Sequence, residues 1–164
     1  MRRIIRHQLS GWLFLAVTLC SAAIAGEEQP TNVILVMSDD QGWGDVGYNG
    51  HKILKTPHLD AMAGQSLRFN RFYSSSPVCS PTRGSCLTGR HPYRYGILYA
   101  NAGGPTALSR YLLPKEEITL AEVLSGRGYR TGHFGKWHLG DFEGKTRSAP
   151  SDHGFDEWFS TARK

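Results

Sequence analysis

Cysteine is scarce in this sequence, with three in 164 residues, which excludes a small scaffold held by many disulfides. Internal repeats and low-complexity tracts are missing, so a stacked repeat array is excluded. The mostly apolar stretch Gly11–Ala23 is short for a membrane span. What remains has ordinary globular proportions, 40% hydrophobic and 20% charged, and argues against wholesale disorder. Nineteen glycines point to a loop-rich chain with tight turns.

The opening segment is set apart from the fold. Arg2, Arg3 and Arg6 precede the apolar stretch, and Ala23-Ile24-Ala25 supplies small residues for cleavage. This order predicts a secretory signal peptide over residues 1–25, with an exported, periplasmic or extracellular product and no stable membrane anchor. Leu19 before Cys20 does not suit a lipobox, and Arg2-Arg3 lacks the flanks of a twin-arginine signal. Residues 1–25 carry three arginines and no acid, so the formal charge falls from +5 to +2 without them. So small and scattered an excess argues against nucleic acid as a partner.

Two cysteines then remain, Cys79 and Cys86. If the chain between them is helical, seven residues rise about 10 Å, beyond disulfide reach. Cys86 reads as a small buried apolar residue.

Along the chain, Asn32–Met37 is a continuous branched apolar run and predicts a strand buried on both faces of a parallel sheet. Thr56-Pro57 reads as an N-cap and first helical residue, opening a helix to Gln65. A strand is predicted over 67–73, a helix over 81–88 with Cys79 just ahead of it, and an amphipathic helix over 118–125 stopped by Gly126 or Gly128. A strand over 129–134 follows. Strands alternating with helices predict an α/β domain with a mainly parallel sheet flanked by helices. The aromatic-rich segment near 153–159 precedes no closing element, so residues 26–164 read as the N-terminal part of a longer domain.

Three constellations carry chemistry. Asp39-Asp40 sets two carboxylates side by side; either a cation joins them or they form a solvated acidic turn. Hard oxygen ligands suit calcium or magnesium, and flexible multi-oxygen coordination favours calcium. Without the ion, their repulsion predicts a raised pKa for one of them. Cys79 and Arg83 belong to Cys-Ser-Pro-Thr-Arg-Gly-Ser-Cys-Leu-Thr-Gly-Arg, residues 79–90; apart from that context they would read as a core thiol and a surface charge. Gly-Lys-Trp-His-Leu-Gly, residues 135–140, places Lys136 and His138 two apart, on one side of an extended segment. A lysine there can bind an anion and a histidine can move a proton, although such residues are also common on surfaces. Tyr93, Arg94, Tyr95 and Tyr99 are either contacts for a sugar or aryl group or ordinary loop residues.

Cys-x-Pro-x-Arg followed by Leu-Thr-Gly-Arg resembles the signature of the formylglycine-dependent sulfatases. Asn32–Asp45, residues 135–140 and His153-Gly154-Phe155-Asp156 resemble that family's other segments, in its order. The resemblance implies an alkaline-phosphatase-like fold and hydrolysis of sulfate esters, with a sulfated small molecule or glycan as substrate. It implies that Cys79 is oxidised to formylglycine (3-oxoalanine) by a formylglycine-generating or anaerobic sulfatase-maturating enzyme. The hydrated aldehyde is both nucleophile and metal ligand. It assigns Asp39 and Asp40, with modified Cys79, to calcium; Arg83 to positioning the diol; and Lys136 and His138 to sulfate binding and proton transfer. The family's further Asp-Asn pair and its later His and Lys have no counterparts here. Two rival readings are a phosphate or phosphonate ester hydrolase of the same superfamily, and a catalytically incomplete fragment that binds sulfate.

Overall fold

A computed structural model describes residues 30–100 and 109–162. The leader expected over residues 1–25 lies outside the described residues. The chain divides into two units, Met1–Met37 and Ser38–Lys164. No described helix is long and apolar enough to cross a membrane.

Of the first unit, residues 30–37 are described. The strand expected over Asn32–Met37 is not formed, and Ile34 and Val36 are each 86% exposed. A central parallel strand needs backbone partners along both edges and cover on both faces. The described residues supply no ladder for this segment.

In the second unit, a short 3-10 turn at Gly47–Asn49 precedes helix α1, Pro57–Gln65. Pro57 takes the first helical position as expected, but the Thr56 side chain does not cap the helix. Its Oγ1 instead accepts from Gly47 N–H at 2.7 Å and donates to Asp60 Oδ1 at 2.9 Å. The Asp60 carboxylate also accepts from Tyr48 N–H, so α1 anchors the glycine-rich loop behind Asp40. A side chain at Gly47 would collide with that carboxylate. The strand expected over 67–73 is absent, and Phe69, Phe72 and Tyr73 are exposed.

Helix α2 runs Cys79–Thr88, and Gly89 ends it in the left-handed region (φ 67°) with its N–H on Ser85 C=O. Helix α3, Pro92–Tyr95, is a single turn. Helix α4 is Leu120–Ser125, two residues shorter at its start than expected. The reason is a capping box: Thr119 Oγ1 accepts from Glu122 N–H, and Glu122 Oε2 accepts from Thr119 N–H.

Strand β1 is Gly132–Lys136 and pairs in parallel with β2, Glu157–Thr161, in the register Phe134 to Phe159. The parallel ladder agrees with the expected sheet type. Strand β2 was not foreseen: its run of large residues has no clean alternation, and pairing with β1 defines it. The core gathers beyond the C-terminal end of β1, where Tyr95, Ile97, Leu113, Trp137 and Leu139 pack with Leu87, Phe142 and Phe155.

Candidate active site

Cys79 is the first residue of α2, and Val78 before it offers no side-chain cap. Upstream, Thr82 Oγ1 donates to Ser76 C=O at 2.7 Å, pinning the entry to the helix. Both Cys79 and Cys86 are free thiols on this helix, as its geometry requires.

Arg83 lies one turn after Cys79, on the same face. Its Nη1 donates to Lys136 C=O at 2.7 Å, joining α2 to the end of β1. Its Nη2 reaches Asp39 Oδ1 at 3.3 Å. Its Nε is buried and has no hydrogen-bond partner among the described residues.

Asp39 is the hub. Besides Arg83, it accepts from Lys136 Nζ at 2.7 Å. Lys136 and Arg83 lower the Asp39 pKa, and the Lys136 hydrogen bond contributes most. Repulsion between adjacent carboxylates predicts an upward shift; the two cations reverse it at Asp39. For Lys136, burial pulls the pKa down, yet hydrogen bonds to Asp39 and Cys79 and their charge raise it overall. Lys136 is therefore a persistent cation beside Cys79.

Asp39, Asp40 and Cys79 each bring one ligand atom into a group spanning no more than 4.8 Å. The three could hold a metal ion. Two carboxylates suit an oxygen-preferring cation; the thiol sulfur does not. Asp40 itself is held at φ 58°, a conformation uncommon outside glycine.

His138 is buried, and its carbon skeleton is turned by a φ of 56°. Strand β1 ends at Lys136, so simple strand alternation does not bring the pair together; a left-handed turn does. Burial lowers the His138 pKa, Lys136 and Arg83 lower it further, and Asp39 opposes them. Arg83, Lys136 and His138 thus interact with Asp39, and Asp40 and Cys79 lie close beside it.

The remaining residues of the Cys79 segment are structural. Gly84 lets the Tyr95 ring approach so closely that a Cβ would meet it at 2.8 Å. Tyr95 is buried, its hydroxyl donates to Pro81 C=O, and it lies 3.0 Å from Ser85 Oγ. Tyr95 therefore holds α2 in place and is no surface contact, whereas Tyr93 and Tyr99 are exposed. Arg90 Nη1 contacts both carboxylate oxygens of Glu117, at 2.8 and 2.6 Å. Glu117 is missed by sequence reasoning: beside Glu116 it is one of two adjacent acids with no local sign of a partner 27 residues away.

A family model described as Sulfatase matches residues 31–163. The chain belongs to the sulfatase family. Among curated sulfatases, it is 41% identical to mouse N-acetylgalactosamine-6-sulfatase over 153 residues, covering 91% of this chain and 29% of that protein. It is 48% identical to bovine arylsulfatase A over 124 residues, covering 76% and 24%. The chain thus spans less than a third of the length of these relatives. The solved structure of yidJ from Bacteroides fragilis matches with a TM-score of 0.68 at 32% identity, over 85% of this chain and 33% of that one. Ps i-CgsB in complex with k-i-k-neocarrahexaose matches with a TM-score of 0.64 at 31% identity, over 77% and 27%. The fold is accordingly the N-terminal part of an alkaline-phosphatase-like α/β domain.

Proposed function

We propose that this chain carries the nucleophile half of a sulfuric ester hydrolase site and that Cys79 is converted to formylglycine in the working protein. The observation that carries the reading is the convergence of Cys79, Asp39 and Asp40 on one point, with Lys136 and Arg83 joined through Asp39. Asp39 and Asp40 would hold calcium. Oxidation of Cys79 removes the one soft donor and leaves an all-oxygen set, which suits that ion. When formed, the hydrated aldehyde supplies a hydroxyl to attack sulfur and a second hydroxyl whose deprotonation restores the aldehyde and expels sulfate.

The chain's own residues have distinct tasks. Arg83, with a buried unpaired Nε, keeps a donor ready beside the first turn of α2 and offsets negative charge. Lys136 stays protonated and binds sulfate oxygens. His138, with its lowered pKa, is neutral at pH 7 and accepts a proton. The substrate is a sulfated small molecule or glycan, consistent with the oligosaccharide-bound Ps i-CgsB neighbour. A formylglycine-generating or anaerobic sulfatase-maturating enzyme is the required partner, and the leader pattern of residues 1–25 supports export.

The test uses full-length protein co-expressed with a maturation enzyme, with an aryl sulfate and the matching aryl phosphate as substrates. Sulfate hydrolysis with an aldehyde at Cys79 by peptide mass spectrometry is expected, and Cys79→Ser should lose turnover. A serine ester has no second hydroxyl through which to release sulfate. Active protein with unmodified Cys79 would overturn the mechanism; preference for phosphate would overturn the substrate class.

A further inference from the structure

Trp137 stands between Lys136 and His138 and is only 1% exposed. Its indole Nε1 donates to Ser148 C=O at 2.5 Å. Its ring meets His133 and Phe155 edge-on and lies 5.7 Å from the His153 ring. On the other side of His138, Leu139 C=O accepts from Leu113 N–H at 2.8 Å. The backbone is thus held before and after His138, whose left-handed φ persists only where its surroundings enforce it.

His153 sits at the far end of this brace, fully buried. Its Nε2 is 2.7 Å from Ser148 Oγ, and its carbonyl accepts from Thr119 Oγ1 at 2.7 Å. The Ser148 hydroxyl donates to Leu113 C=O at 3.0 Å. A hydroxyl has one proton to give, so Ser148 Oγ must accept from His153 Nε2–H. Nε2–H is common to the neutral ring and the imidazolium; Nδ1 tells them apart and is bare in the neutral ring. That Nδ1 is buried and has no hydrogen-bond partner among the described residues. A second proton would place an N–H donor where nothing accepts it.

We propose that neutral His153 is a positioning residue: through Ser148 it braces Trp137 and the His138 turn, and protonation at Nδ1 releases that brace in mild acid. Its importance for turnover rests on the reading of Lys136 and His138 as site residues. The ionisable groups that face His153 are Glu122 from α4, Asp152 from its own turn and Lys115 from the preceding loop, with Arg147 paired to Asp152. Burial lowers the His153 pKa; Glu122 and Asp152 oppose it without prevailing, and Lys115 adds to it.

The experiment follows exchange of the Trp137 indole N–H in full-length protein from pH 8 to pH 5, corrected for intrinsic rate and assigned with Trp137→Phe. Wild type should lose protection by about tenfold or more on acidification, since each pH unit below the ordinary histidine pKa of about 6.5 raises the protonated, opened form tenfold over the closed neutral one. His153→Gln keeps an amide N–H for Ser148 and does not titrate, so its protection should stay level; His153→Ala should lose protection throughout. A wild type protected down to pH 5, or a Gln variant with the same acid loss, would overturn the proposal. Nitrogen NMR of the wild-type ring is the independent check: an Nε2–H tautomer whose titration coincides with the Trp137 change is expected, and an Nδ1–H tautomer overturns it. Aryl sulfate turnover on the same samples separates the two readings. A Trp137 response without turnover sinks only the sulfatase reading, and turnover without the response sinks only the brace.

Discussion

Replacing Gly84 by alanine tests how α2 is held. In an isolated helix this change helps, because alanine is better than glycine in a helix interior by about 1 kcal/mol. Here the new Cβ would sit 2.8 Å from three ring and hydroxyl atoms of Tyr95. Tyr95 is 2% exposed and in the core cluster, so it has little room to retreat. Overpacking of this kind costs roughly 1–3 kcal/mol. A displaced Tyr95 also forfeits its bonds to Pro81 C=O and Ser85, about 1 kcal/mol each. The losses exceed the propensity gain, and the expected net destabilisation is about 2–4 kcal/mol. Urea unfolding of the full-length protein measures it, with Tyr95→Leu as the relieving partner in a double-mutant cycle. The coupling should be favourable, because a smaller side chain at 95 makes room for the methyl group. A Gly84→Ala protein as stable as wild type, or more so, would refute the argument that close approach dictates this glycine.

Two further outcomes follow from the charge arrangement. Arg90→Ala should destabilise the fold by about 1–3 kcal/mol, because Glu117 is left mostly buried without its cation. Arg90→Ala with Glu117→Gln should recover part of that in the same unfolding assay, and no recovery would count against the pair. Asp152 contributes to the acid limb, beside Asp39 and Asp156, whose pKa values are also lowered. Burial pushes its pKa up, but the Ala149 N–H, Lys115 and Arg147 outweigh this and lower it overall. The unfolded chain therefore takes up the proton first, and the Asp152 contribution, complete above the unfolded pKa of about 3.9, is lost as pH falls through the lower folded value. Asp152→Asn should flatten the fall in stability below about pH 4; an unchanged slope would exclude Asp152 as one of its sources.

Much of the local structure was legible because its signals lie within one or two turns of chain. Pro57 opens α1, and the helices expected over 81–88 and 118–125 form with the expected ends, Thr88 and Ser125, although each start lies two residues from the expected one. Asn32–Met37 and 67–73 misled, since apolar runs state a preference for burial and cannot supply the strand that must pair with them. For the opposite reason β2 escaped notice: Glu157–Thr161 becomes a strand through its register with Gly132–Lys136.

The sequence by itself determined which groups are available and at what spacing: a cysteine and an arginine one helical turn apart, two adjacent carboxylates, and a lysine two residues from a histidine. Those facts are short-range and follow from helix and strand periodicity. Only the tertiary structure decided that Asp39 is shared by Lys136 and Arg83, partners 97 and 44 residues away. It also decided that a left-handed turn sets His138, and that Tyr95 serves the core. Such choices depend on packing: a charge takes the partner that reaches it after desolvation, and an aromatic ring goes where a missing side chain, here at Gly84, leaves space.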